Sequence, residues 1–157
     1  LPRPPAGRIV STVDAVTADG RWRLFAFAPH EDPGAEGSAI QRLCAFLADD
    51  PASPLRHNRP GEDVDAQIDL RAVFPQNFRE LKLEELPPLL LPRSGRLGLI
   101  DYEKVYCADP AQDIHALRGI DRSRGALVVV RPDQYVAHVL PLDATDELAA
   151  FFDGFLI

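Results

Sequence analysis

Methionine is missing from all 157 residues, position 1 included. A translation product starts with methionine, and a leucine after it is a poor context for its removal. The chain is therefore expected to be a fragment or a processed piece of something longer. Cysteine is nearly missing too, with two in the whole chain. That leaves no disulfide framework and makes a reducing cytoplasm the expected compartment. No apolar run approaches the length of a membrane span; Leu89-Leu90-Leu91 sits between prolines and ends quickly. The opening LPRPPAGR lacks the apolar stretch of a secretion signal, and Pro2, Pro4 and Pro5 read as linker. Positive charge is in deficit, 17 Lys and Arg against 24 Asp and Glu, for a net charge of −7. That balance disfavours nucleic acid or an anionic membrane as partner.

Motifs of catalysis are missing as well. There is no G-x-G-x-x-G fingerprint for a dinucleotide. Cys107, Asp109, Asp113 and His115 match no zinc spacing, and surface polar residues around a strand end is the plainer reading. His30, His57 and His138 have no Ser or Cys partner motif, so no catalytic triad is indicated. Glu62-Asp63 and Glu84-Glu85 read as solvated faces. Pro87 to Pro92 has the composition of a polyproline ligand, but a loop packed by its leucines fits better.

What is present is ordinary globular material: 46% hydrophobic and 26% charged residues, enough to build one packed domain. Arg8–Val13 reads as a first strand or an extended lead-in. Asp19-Gly20 marks a turn before Arg21–Ala28, RWRLFAFA, a strand of aromatic and aliphatic residues. His30–Gly37 is a polar loop. Ser38 can cap a helix to about Leu47, with Ile40, Leu43, Cys44 and Leu47 on its inner face. Asp49–Asp63 reads as loop, Ala66–Phe74 as an alternating strand, and Phe78–Leu91 as a short helix broken at Pro87-Pro88. Leu97–Cys107 holds another strand, expected at Lys104–Cys107, and Gln112–Arg118 a helix closing on Gly119.

The C-terminal third is the most articulate part. Ala126–Val130, with three consecutive valines, has the pattern of a strand buried on both faces. Pro132-Asp133 supplies a turn and Tyr135–Leu140 a second apolar strand, ended by Pro141. Asp143 or Thr145 is the expected cap of a last helix. Asp146 and Glu147 place negative charge in its first turn, where the helix dipole favours it. Leu148, Phe151, Phe152 and Phe155 recur at helical spacing and must be covered.

The order of elements predicts an α/β domain. It resembles a thioredoxin-like unit, a central mixed sheet flanked by helices, in which a strand leads into a redox loop and a long helix. Thiol redox chemistry needs a low-pKa cysteine at a helix N-terminus, usually in C-x-x-C. Here His30-Glu31-Asp32-Pro33-Gly34 has no cysteine, and its carboxylates would oppose a thiolate. Cys44 falls about two turns inside the helix and reads as a buried, inert thiol. Nor does Gly119–Gly125 contain the proline that such redox folds place before the hairpin. The remaining redox reading, a one-cysteine peroxidase or reductase using Cys44 or Cys107, is the weakest of those considered.

Leu99-Ile100-Asp101-Tyr102-Glu103-Lys104 and Val130-Arg131-Pro132-Asp133-Gln134-Tyr135-Val136 carry a more specific likeness. With Arg21–Ala28, Pro92–Cys107 and Arg118–Leu156 they resemble the C-terminal region of the phenol 2-monooxygenase family of flavin-dependent aromatic hydroxylases, nearest the branch acting on 3-hydroxybenzoate. The resemblance implies residues 1–20 as linker or lead-in strand and 21–157 as a thioredoxin-like domain without redox cysteines, associated with dimerisation. It also implies that FAD, NADPH and the phenolic substrate engage domains upstream of Leu1. No catalytic, cofactor-binding or metal residue is assigned to this chain, and the expected partners are the upstream hydroxylase domains and a homodimer mate. Arg131, Asp133 and Tyr135 form the candidate interface; as plain structure they are a hairpin turn with an exposed ion pair worth little energetically. The alternative is a free-standing, redox-inactive thioredoxin-like module that binds other proteins.

Overall fold

The computed structural model describes residues 20–31, 35, 37–57, 67–75, 83–91, 93–94, 97, 99–100, 104–107, 123–133 and 135–154. Seven strands are described: β1 (Trp22–Phe27), β2 (Ile68–Phe74), β3 (Arg93–Ser94), β4 (Leu99–Ile100), β5 (Val105–Cys107), β6 (Ala126–Val130) and β7 (Val136–Leu140). Two α-helices accompany them, α1 (Ala39–Asp49) and α2 (Thr145–Asp153). Five strands form one mixed sheet in the order β5-β2-β1-β6-β7, and β3 pairs with β4 separately. β1 runs parallel to β2, a pairing that needs a crossover, and α1 lies in that connection. β6 runs antiparallel to both β1 and β7, so a short turn suffices to join the hairpin.

Side-chain alternation along β1 and β2 divides the sheet into two faces. Leu24 and Ala26 point one way with Leu70, Ala72 and Phe74, into a core shared with Leu43 and Leu47 of α1 and Leu148 and Phe152 of α2. Both helices therefore cover the same face. Trp22, at the start of β1, meets the rings of Phe151 and Phe152 edge-on, with centroids 5.7 and 5.4 Å apart. That geometry favours aromatic pairs and docks α2 over the central strand. The other face carries Phe25, Phe27 and Val73, with Tyr106, Val128 and Val130 half-buried beside them.

The helix expected from Ser38 is there. The Ser38 hydroxyl accepts from the Gln41 N–H at 3.2 Å, and Ile40, Leu43, Cys44 and Leu47 are buried. Other expectations shift. α2 begins after Ala144, which makes no side-chain cap, and not from Asp143 or Thr145. The chain enters it through a turn in which Ala144 N–H donates to the Pro141 carbonyl at 3.1 Å, setting the start between the two expected caps. Phe78–Leu91 holds no α-helix among its described residues. Two single 3-10 turns occur, Leu83–Glu85 and Pro88–Leu90. Pro88 opens the second, a position where its missing N–H costs nothing. A further 3-10 turn, Pro54–His57, interrupts the loop expected after α1. β6 is buried on one face only, since Val128 and Val130 remain half-exposed. The readings made for Arg8–Val13, Gln112–Arg118 and Phe155 lie outside the described residues.

Candidate functional site

A redox protein of this element order would hold its thiolate at the N-terminus of α1. Here the Glu31 carboxylate accepts from the Ala39 N–H at 2.7 Å, while Ser38 satisfies Gln41. An acid from the preceding loop thus occupies the place where the helix dipole favours negative charge. Cys44 is 3% exposed, and burial pushes its thiol from the ordinary 9.0 up to about 12. A thiol so held stays protonated and does not attack. Cys107 stands at the end of β5, and its side chain lies outside the described residues, as do Asp109, Asp113 and His115. Among the described residues no group of three or more His, Cys, Asp or Glu could hold a metal ion.

The second face of the sheet holds a buried charge cluster. Parallel register sets Arg23 directly beside Asp69. The Asp69 carboxylate is fully buried, with Arg71 Nε at 2.9 Å, Arg23 Nε at 3.3 Å and the Lys104 ammonium donating to its other oxygen. Arg71 also donates to the Tyr106 hydroxyl at 2.5 Å. Burial works against the charge on Arg71, but Asp69 and Tyr106 outweigh it and raise the pKa of the guanidinium. The cluster spans β1, β2 and the start of β5, so it reads as a structural tie across three strands. The alternation of IDLRAVF displays these charges, but alternation alone marks them for solvent. The better signal was the pairing of opposite charges at matched positions of adjacent strands, which needs the register.

The candidate interface residues come together at the tip of the β6–β7 hairpin. Arg131 Nη2 donates to Asp133 Oδ2 at 2.8 Å, both side chains being about half exposed. The Arg131 N–H donates to the Tyr135 carbonyl at 2.8 Å and closes the turn. Tyr135 is 70% exposed. The apolar strand beyond it is also open: Val136 is 61% exposed and Val139 57%. His138, on the opposite face, leans against Phe151 with ring centroids 5.9 Å apart. Val129 pairs with His138 but Val130 with Val136, so Ala137 is the extra residue of a β-bulge. A shallow cleft of about 320 Å³ lies between α1 and the start of α2, floored by Leu43, Phe46 and Leu142 and rimmed by Arg42 and Asp143. No buried polar group among its described lining residues converges on it, which leaves it without the anchoring chemistry of a ligand site.

The family model for the phenol hydroxylase C-terminal dimerisation domain matches residues 5–157. The chain belongs to that family. It is 57% identical over 143 residues to a 3-hydroxybenzoate 4-monooxygenase of Comamonas testosteroni, covering 88% of this chain and 22% of that protein. It is 28% identical to an FAD-dependent monooxygenase of Aspergillus terreus, covering 95% of this chain and 25% of the relative. A phenol 2-monooxygenase of Aspergillus fumigatus is 27% identical, with coverages of 97% and 26%. The chain thus spans about a quarter of the length of the relatives it matches. The two motifs that carried the resemblance fall on β4 with the segment leading to β5, and on the β6–β7 turn.

Proposed function

We propose that this dimerisation-family domain is the non-catalytic C-terminal part of an FAD- and NADPH-dependent monooxygenase of phenolic rings. Its substrates would be of the phenol or 3-hydroxybenzoate type. In this reading the domain holds two copies of the enzyme together in the cytoplasm, and hydroxylation belongs to segments upstream. The observation that carries it is the family match over residues 5–157, together with monooxygenases of which the chain spans only about a quarter.

The fold is thioredoxin-like in the same reading: β1-α1-β2 and β6-β7-α2 share one sheet with β1 at its centre, as such a unit requires. Redox inactivity is supported by the protonated Cys44 and by Glu31 at the α1 N-terminus. The same carboxylate argues against flavin here. A dinucleotide pyrophosphate is often held at a helix N-terminus with free N–H groups, and the carboxylate on Ala39 N–H would repel it at α1. Among the described residues, the N-terminus of α1 thus does not fit the cofactor.

The test is a comparison of two purified proteins. The native polypeptide that carries this domain should be yellow and oxidise NADPH when given 3-hydroxybenzoate or phenol. The 157-residue chain mixed with FAD should emerge colourless from gel filtration and reduce no disulfide. Flavin retained by the isolated chain would overturn the non-catalytic reading.

A further inference from the structure

We infer that the outer face of the β6–β7 hairpin is where a second copy of this chain docks. This rests on the self-association proposed above and names its surface. β7 is the last strand in the sheet order, so among the described residues its outer edge carries no further strand. Val139 stands opposite Val128, and Val136 opposite Val130. Residues directly opposite in an antiparallel pair share a face, so the four valines form one patch. Its inner members, Val128 and Val130, pack toward Phe25 and Phe27, and its outer members, Val136 and Val139, are mostly exposed. Tyr135 is exposed at the turn beside the patch.

Exposed edge strands are usually guarded by lysine, glutamate or inward-pointing charge. The segment Tyr135–Leu140, YVAHVL, has no such residue. The occupant follows from charge. The chain as a whole carries −7, which opposes association of two copies, but the hairpin 126–140 contains one arginine and one aspartate and is neutral. A two-fold interface must be self-complementary, with residue i meeting j and j meeting i. Arg131 and Asp133, exposed at the hairpin tip, meet that condition, since each copy presents both signs.

The experiment uses the native polypeptide, with sedimentation velocity across a concentration series. Val136→Lys and Val139→Lys should each raise the dimer dissociation constant at least about tenfold while leaving bound flavin and the melting temperature near wild type. Leu97→Lys, a like change at an exposed leucine outside the hairpin, should leave it unchanged. Hydrogen exchange on the wild type reads the surface without any variant: amides 135–140 should be slower above the dissociation constant than below it. A dimer whose constant is unmoved by either lysine, or whose 135–140 exchange is the same at both concentrations, overturns this surface and leaves self-association standing. A wild type that stays monomeric at every concentration overturns both.

Discussion

Single residues set the tightest constraints in this domain. Gly125 enters β6 with φ of +66°, and a Cβ built there would lie 2.2 Å from the Phe27 carbonyl and 2.8 Å from a Leu142 methyl. Backbone cannot yield as a flexible side chain would, so Gly125→Ala should cost ~3 kcal/mol through strain and overpacking together. Denaturant unfolding measures it, and a loss below the cost of a surface change would refute the contact. Cys44 is the second case. Its folded-state pKa lies above the unfolded value of 9.0, at about 12, so the protonated thiol favours the fold. That contribution is complete below pH 9 and is lost as pH rises toward 12, because only the unfolded chain then releases the proton. Between pH 8 and 11 the wild type should therefore lose more stability than Cys44→Ala. Parallel pH curves for the two would contradict the buried-thiol account. The inertness of Cys44 was readable from its place on the apolar stripe of a helix. The constraint at Gly125 was not, because the obstructing carbonyl comes from β1, about a hundred positions away along the chain.

At the scale of elements, legibility followed locality. α1 could be read because a capping serine and an apolar stripe are properties of a dozen consecutive residues. The β6–β7 hairpin could be read because Pro132-Asp133 separates two apolar runs. The start of α2 slipped because a turn from Pro141, and no side-chain cap, fixes it. What alternation could not disclose is which polar face gets covered. Arg23, Asp69 and Arg71 alternate as a solvated face would, yet are buried, while the valines of β7, apolar by sequence, are left open at the sheet edge. Position in the sheet decides both, and the sequence does not state it. The Asp69 cluster makes its own prediction. Removing the carboxylate leaves buried cations around its place, so Asp69→Ala should destabilise by about 3–5 kcal/mol. Asp69→Asn should recover part of that by keeping an acceptor. An Ala variant as stable as wild type would show that the three-strand tie contributes nothing.

For the whole molecule, the described parts fit the supporting role proposed above. The helix end suited to redox chemistry is filled by Glu31, the described thiol is buried, and the described cleft lacks anchoring groups. Among the described residues, a neutral, valine-faced hairpin stands open on a domain whose family is described by dimerisation. In the proposed function this domain holds two copies of a larger enzyme together. The most direct measurement is sedimentation equilibrium of the native polypeptide beside the same polypeptide cut before Gly20. The first should be a dimer and the second a monomer that keeps its flavin; a flavin-bearing dimer that survives the cut would contradict the supporting role.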